Sequence, residues 1–349
     1  MKKDITIYDI AADVGLSPTT VSRALSNHPR VKEKTRLKVF EAAKAMGYQS
    51  NIFASNLRKK RSNNIGVIVP KLNSPFQSSV LAGMEKIANQ AGYNLVISQS
   101  MESLDKEIAN TKTMFNSRVD GLLVSMAGST DEIDHFKPFF QKEVPVLFFD
   151  RVPEKNGCTG VIINNTQAAH EATTHLIQQG CRRIAHVLGN LKINVYADRL
   201  KGYKYALLDH GLPYDEENII LNDLSEDTGE QVIQQILNRN PRADGLLVSN
   251  DTCAASCLMA LKKRNIKVPE EIALVGFNND LISRMVEPNI STINYPGFHM
   301  GEVAMKSLVD HLGEGHHEIL QKTNTITLRS ELLIRESSLR KKTNHDIRD

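Results

Sequence analysis

The chain predicts an α/β protein. It has a small all-helical module at the N-terminus, followed by two doubly wound parallel-sheet subdomains of periplasmic-binding-protein type. Three observations carry this. From Ile65 onward, short apolar runs alternate with helical stretches, the pattern of buried parallel strands covered by helices. The hexapeptide DGLLVS occurs twice, at 120–125 and 244–249, at similar places in two series of such runs, which points to two like-built halves. Before Ile65 the pattern is different: three short amphipathic helical segments in a strongly basic stretch.

In the N-terminal segment, Thr6 and Asp9 stand at capping-box spacing, and Ile7, Ile10, Ala11 and Val14 follow at helical spacing. Gly15 supplies a tight turn. Ser17 then reads as an N-cap with Pro18 at the first helical position, where its missing N–H costs nothing. On this second helix Val21, Ala24 and Leu25 fall on one side, and Thr19, Ser22, Arg23 and Ser26 on the other. A third helix over about 33–46, with Leu37, Phe40 and Ala43 along one face, ends at Gly47, and the three helices give just enough apolar surface for a small bundle. Helix, glycine turn, helix is a helix-turn-helix pattern with a polar, hydroxyl-rich outer face.

Charge sharpens this. Through Arg61 there are 13 Lys+Arg and 5 Asp+Glu, a net of +8 in a chain whose total is +3, so the remainder carries −5. A basic head on a mildly acidic body is the footprint of a nucleic-acid binder.

In the body, strands are predicted at IGVIVP (65–70), NLVIS (94–98), DGLLVS (120–125) and VPVLFF (144–149). The second series is GVII (160–163), RIAHVLG (183–189), NIIL (218–221), DGLLVS (244–249) and IALVGF (272–277). A further helix over 298–312 and a late strand over 325–328 suggest that the chain crosses back between the halves. The polar end, SSLRKKTNHDIRD, is expected to be disordered. Two such sheets side by side bring their strand C-termini around a common cleft, the usual place for a ligand.

The chain of 349 residues is 41% hydrophobic and 24% charged, the composition of a globular protein. No apolar segment approaches the roughly 20 residues of a membrane span, and no secretory leader is present in the sequence. Cys158, Cys181, Cys253 and Cys257 form no C-x-x-C pair, which suggests free thiols in a reducing compartment. No phosphate-binding glycine loop or nucleophile elbow occurs. HEATTH (170–175) spaces its histidines i, i+5, about 140° apart on a helix, whereas zinc needs i, i+4. GEGHHE (313–318) reads as a solvated turn. No catalytic residue, metal or cofactor is therefore expected, and the cleft reads as a binding site.

TIYDIAADVGLSPTTVSRAL, GYQSNIFASNLR, IGVIVP, RVDGLLVS, DRLKGY and SNDTCA, in this order, resemble the LacI/GalR family of bacterial transcriptional regulators, over about Ile5–Glu336. The resemblance implies a helix-turn-helix DNA-binding headpiece (1–48), a hinge helix and linker (49–64), an effector-binding and dimerisation core (65–337) and a tail (338–349). Within the core it implies one subdomain from 65–162 and 293–322, and another from 163–292 and 323–337. The implied function is that of a repressor, cytoplasmic and nucleoid-associated when bound. It would hold a palindromic double-stranded DNA operator as a homodimer under control of a sugar-like small-molecule effector. A cytoplasmic sugar receptor and an α/β enzyme with a fused helical module are the alternatives; the basic head and the motif census count against them.

Carried over by position, Pro18, Thr19 and Arg23 match base-reading positions. Tyr8, Ser17, Thr20, Ser22 and Thr35 match phosphate-contacting ones. Ala54 and Leu57 match the hinge, where Leu57 would wedge into the minor groove. Ser50 replaces the family's usual proline, and Ser55 its usual arginine. Phe76, Asp150, Arg199, Asn250 and Asn278 match effector-binding positions. Asp150 ending a strand and Asn250 capping a helix are alternative structural roles. Asn278 stands where an aspartate is usual, and Leu224 where several relatives carry an aromatic residue.

Overall fold

The computed structural model describes residues 5–48, 61–153, 158–313 and 325–340. The chain divides into two compact units, Met1–Ser62 and Asn63–Asp349.

The first unit is a three-helix head: α1 (Ile7–Val14), α2 (Pro18–Leu25) and α3 (Glu33–Ala45). The capping box forms as the spacing predicts, with the Thr6 N–H and hydroxyl both donating to the Asp9 carboxylate at 2.8 and 2.6 Å. Gly15 turns the chain at φ +66, in the left-handed region. Ser17 accepts the Thr20 N–H at 3.2 Å and caps α2. The core is small: Ile10, Ala11, Val14, Val21, Ala24, Val39 and Ala43. Here α3 differs from expectation. It packs through Val39 and Ala43, while Leu37 is 56% and Phe40 40% exposed. Two eight-residue helices offer a single narrow stripe, and the Val39–Ala43 i, i+4 pair fills it. Lys38 donates to the Val14 carbonyl at 2.9 Å, satisfying a C-terminal carbonyl of α1 and fixing the rotation of α3.

The second unit holds two six-stranded sheets. In chain order its elements are β1 (Asn64–Val69), α4 (Pro75–Gln90), β2 (Asn94–Gln99), α5 (Leu104–Asn116), β3 (Gly121–Val124), α6 (Lys137–Gln141), β4 (Val146–Phe149) and β5 (Gly160–Ile163). There follow α7 (Asn165–Gln178), β6 (Ile184–Leu188), α8 (Asn194–Asp209), β7 (Ile219–Leu221), α9 (Gly229–Leu237), β8 (Gly245–Val248), α10 (Asp251–Lys263) and β9 (Ala273–Phe277). The last are β10 (Ser291–Asn294), α11 (Gly297–Leu312), β11 (Thr325–Leu328) and β12 (Glu331–Leu333).

The first sheet runs β11-β5-β4-β3-β1-β2, all parallel; the second runs β12-β10-β9-β8-β6-β7, parallel except for β10–β12. The two DGLLVS copies are β3 and β8. They occupy equivalent places, with Gly121 paired to Ile65 and Gly245 to Ile184. In each sheet the strand order reverses beside that copy, at β1/β3 and β6/β8, the switch point where open α/β sheets bind ligands.

One helix pair on each sheet crosses at glycine. A Cβ on Gly83 of α4 would collide with the Phe298 carbonyl, and one on Gly301 of α11 with the Val80 carbonyl; one on Gly202 of α8 would collide with the Thr166 carbonyl of α7. Backbone-to-backbone approach in the two halves is thus built alike.

Two boundaries differ from expectation. Residues 323–337 do not all join the second half: β11 pairs in parallel with β5 and closes the first sheet, and only β12 returns to the second. The chain therefore crosses between the sheets after β5, after β10 and after β11. The C-terminal segment is also ordered as far as Arg340. Ser337 and Ser338 are fully buried, Ser338 bonds His175 and Ser291 at 2.7 and 2.6 Å, and Arg340 donates to the carbonyls of Pro269 and Asp244. The polar composition of SSLR serves a buried hydrogen-bond network, so it does not signal disorder here. The remaining tail, 341–349, lies outside the described residues.

Candidate functional site: a helical DNA-facing surface and an interlobe cleft

On the head, Ser17 sets the start of α2 and thereby the face it presents. Thr19 and Arg23, one turn apart, are both exposed, and Arg23 enters no ion pair among the described residues. Pro18 is half-buried at the first helical position. Of the five expected phosphate-contacting residues, Tyr8 on α1 is 68% exposed and Ser17 is exposed. Thr20, Ser22 and Thr35 are half-buried. The Ser17 and Thr20 hydroxyls bond one another at 2.8 Å. Ala54 and Leu57 lie outside the described residues.

In the second unit a cavity of about 390 Å³ opens at the strand C-termini of both sheets. Phe76, Asp150, Arg199, Asn250 and Asn278 all line it, though they come from five separate segments of chain.

Asp150 follows β4 at φ +59, a conformation that turns its side chain away from the strand ladder. Its Oδ1 accepts the Tyr295 hydroxyl at 2.8 Å and its Oδ2 the Gln77 amide at 3.2 Å. Burial pushes its pKa up, and neighbouring Arg151 and the Tyr295 bond only partly offset that. Tyr295 lies on the second crossover, its ring 4.4 Å from that of Phe76, and its hydroxyl is raised well above the usual range, first by burial and then by Asp150.

Arg199, on α8, is 2% exposed. Its Nε donates to Asn165 at 3.0 Å and its Nη1 to the Ser249 carbonyl at 2.8 Å, while the guanidinium lies 3.9 Å from the Phe277 ring centroid. No carboxylate forms a salt bridge with it among the described residues, so a positive charge faces the cleft with its plane fixed. Burial works against that charge and lowers its pKa, although an arginine keeps its proton regardless.

Asn250 is committed to structure at both ends of its amide. Its Oδ1 caps α10 by accepting the Cys253 N–H at 2.7 Å, and its Nδ2 donates to the Leu224 carbonyl at 2.9 Å. It forms cleft wall, with one N–H and one lone pair left. Asn278, at φ +103, donates to Asp280 at 3.3 Å. Burial pushes Asp280 up to about 6.

Several lining residues had escaped the sequence reading: Gln77, Glu102, Arg151, Tyr196, Ser249 and Tyr295. Arg151 pairs with Glu102 at 2.7 Å. Glu102 feels burial upward, but Arg151 and the Gly128 N–H outweigh it and bring the carboxyl below its usual value. Gln77 and Arg151 each adjoin a residue that was identified, so proximity in sequence was the available signal. Among the described residues no His/Cys/Asp/Glu group is arranged to hold a metal. Among these residues no helix is long and apolar enough to cross a membrane either. The four cysteines are free thiols.

Comparison with known proteins agrees with both halves. A family described as bacterial regulatory proteins, lacI family, matches residues 6–51. A second, described as periplasmic binding proteins and sugar binding domain of LacI family, matches 62–322. Catabolite control protein A of Priestia megaterium is 32% identical, over 89% of this chain and 93% of that one. The HTH-type transcriptional regulator RegA of Clostridium saccharobutylicum is 30% identical, over 96% and 99%. Among solved structures, the lac repressor dimer bound to operator and the anti-inducer ONPF aligns with a TM-score of 0.86 at 26% identity, over 97% of this chain and all of that one. A CelR–cellobiose complex aligns with a TM-score of 0.71, also at 26% identity, over 95% and 99%.

Proposed function

The chain belongs to the LacI family of bacterial regulatory proteins, DNA-binding transcription regulators and not enzymes, and from this premise we propose that it is a repressor whose operator affinity is set by a sugar-like effector in the cleft. The working form is a homodimer on a palindromic operator, inside the bacterial cell and on the nucleoid when bound.

The observation that carries the effector half is the buried, converging polar set of Asp150, Tyr295, Gln77 and Arg199. It offers acceptors and a fixed cation at one point of a cavity that both sheets line. An occupant would touch both halves and so favour one arrangement of them, which is what linkage requires of an effector. CelR and the lac repressor, whose solved forms carry cellobiose and ONPF, support a sugar-like ligand.

For the DNA half, Pro18, Thr19 and Arg23 read base edges, Tyr8, Ser17, Thr20, Ser22 and Thr35 position the backbone, and Ala54 and Leu57 enter the minor groove. The divisions proposed are a headpiece (1–48), a hinge (49–64) and a core from 65 on. Dimer contact is assigned to the exposed apolar side chains of β2 and β7, which end their sheets among the described residues. Val96 and Ile97 on β2, with Met101 just after it, and Leu221 on β7 stand exposed.

Selection of bound genomic fragments tests the reading. A palindromic consensus bound with steep salt dependence is the expected result. Salt-insensitive binding or the absence of a consensus would sink it.

A further inference from the structure

We infer that Gly128 and Asn190 are positioning residues. They meet where the two halves of the second unit touch beside the cleft, and they hold the halves in the arrangement seen here independently of an effector. Their effect on DNA rests on the linkage between cleft and operator proposed above.

Gly128 is buried in the loop after β3, in the first half. Its N–H donates to Glu102 at 2.8 Å, within its own half. Its carbonyl accepts the Asn190 amide at 3.0 Å, from the loop after β6 in the second half. One glycine therefore carries a bond to each half. The approach is close: a Cβ here would stand 3.0 Å from Glu102 Oε2 and 3.2 Å from Ile193 Cδ1. Ile193 is 8% exposed, so an apolar side chain of the second half is seated on the same residue. The missing side chain lets the Ile193 methyl and the Asn190 amide reach one stretch of backbone together.

Both partners are fixed before they meet. In the first half, Glu107 on α5 is fully buried and holds the glycine's loop: its carboxylate accepts the Ala127 N–H at 2.6 Å and the Thr130 hydroxyl at 2.9 Å. The Ser129 hydroxyl donates to the Glu102 carbonyl at 3.1 Å from the same loop. In the second half, Asn190 Oδ1 accepts the Lys192 N–H at 3.0 Å, an Asx turn that aims the amide. The Asn190 carbonyl accepts the Ile193 N–H at 3.0 Å, and the Ile193 carbonyl accepts the Tyr196 N–H where α8 begins. With both sides already ordered, little conformational entropy is left to lose at the contact. The same α8 carries Arg199, so the contact is continuous with a wall of the cleft.

Two further bonds join the same flank. Asn194 accepts the Val152 N–H at 3.2 Å, and Lys192 pairs with Asp131 at 3.0 Å. The ion pair is exposed and contributes little alone. None of Gly128, Asp131, Asn190 and Lys192 lines the 390 Å³ cavity, so they act without touching its occupant. Across the cavity mouth, no hydrogen bond or ion pair joins residues 70–77 to 223–227 among the described residues. The halves are thus bonded on this flank and not across the mouth, and loosening the flank lets the mouth widen. An equilibrium between two arrangements shifts with any contact that only one of them makes, whether a ligand or the protein supplies it.

Double electron–electron resonance on the full chain tests this. Spin labels at Asn73→Cys and Asp227→Cys, exposed on opposite lips of the cavity, report its width. Cys158→Ser leaves only the three buried native thiols, and singly labelled chains identify distances between subunits. The contact is altered by Asn190→Ala, by Lys192→Asp at low salt, and by Lys192→Asp combined with Asp131→Lys. Lys192 is exposed, so its variant serves if Asn190→Ala misfolds. Both single variants should add a longer distance, and the charge swap should remove it again. Without added sugar, affinity of the unlabelled Asn190→Ala chain for the selected operator should change by about threefold or more, the effect of one hydrogen bond. Lys192→Asp should shift it in the same direction. Unchanged distances in both single variants would overturn the inference. Altered distances with wild-type operator affinity would leave the contact standing and overturn the linkage between cleft and operator.

Discussion

The Tyr295 hydroxyl donates to Asp150 Oδ1 at 2.8 Å, joining residues 145 apart in sequence. The bond ties the second crossover between the sheets to the end of β4, so the cleft and the connection between its halves share one hydrogen bond. Tyr295→Phe removes the donor and leaves a buried carboxylate oxygen short of a partner, at a cost of about 1–3 kcal/mol. Urea unfolding followed by circular dichroism should show this loss with the m-value unchanged. The variant should also weaken binding of any sugar that the wild type takes up. Wild-type stability and wild-type sugar affinity together would mean that the bond holds nothing.

Arg23 is exposed on the face of α2 and lacks an ion-pair partner among the described residues. Arg23→Ala should cost about 1–3 kcal/mol of operator affinity and relax the preference at one base pair per half-site, because arginine reads guanine through two bonds. A loss that is uniform across all sequences, with a reduced salt slope, would make it a phosphate contact instead. Leu57→Ser should lower operator affinity and leave effector binding intact, since the wedge acts only on DNA. Both follow from a fluorescence-anisotropy titration on the selected operator.

How far these residues were legible in sequence depended on range. Ser17–Pro18, Thr6–Asp9 and the two DGLLVS strands are local patterns, and local hydrogen bonding or strand burial settles them. Arg199 and Asp150 were reached by family position, and their neighbours Tyr295 and Gln77 were not, because bonds to Asp150 across 145 and 73 residues leave no periodicity; Gln77 had only its place beside Phe76 to mark it. The side of α3 that packs was misread because Leu37, Phe40 and Ala43 satisfy helical spacing as well as Val39 and Ala43 do; the choice rests on α1 and α2. The place of β11 was hidden for a similar reason: an edge strand of four residues pairs with either sheet equally well on composition. SSLR reads as polar tail unless His175, Ser291 and the Pro269 carbonyl are known to receive it.

Gly83 and Gly301 face each other's helix backbones where α4 crosses α11. Gly301→Ala should be destabilising by about 1–3 kcal/mol or more, since the obstacle is backbone and cannot rotate away. A melting temperature within a degree of the wild type would show that the helices can separate at little cost.

Asp280 and Asp251 are the pH-sensitive pair behind the cleft wall. Asp251 is fully buried, its Oδ1 accepting from Thr292 and its Oδ2 from the Asp280 N–H, each at 2.8 Å. Burial raises its pKa well above the usual carboxylate value, and burial takes Asp280 to about 6. Arg335 approaches through Asn279, to which it donates at 2.6 Å. Both folded-state values lie above the unfolded ones, so the folded chain binds more protons than the unfolded chain, for Asp280 between about pH 4 and 6. The contribution of these groups is therefore most favourable on the acid side and is lost as pH rises through the folded value, by about 1 kcal/mol per pH unit for each group titrating. Asp280→Asn should flatten that dependence between pH 4.5 and 6.5 and raise stability at pH 7, because the amide is always neutral and still accepts the Asn278 N–H. Urea titrations at four pH values check the slope. An unchanged slope in the variant would assign the dependence to Asp251 alone, and a slope of opposite sign in the wild type would refute the account for both.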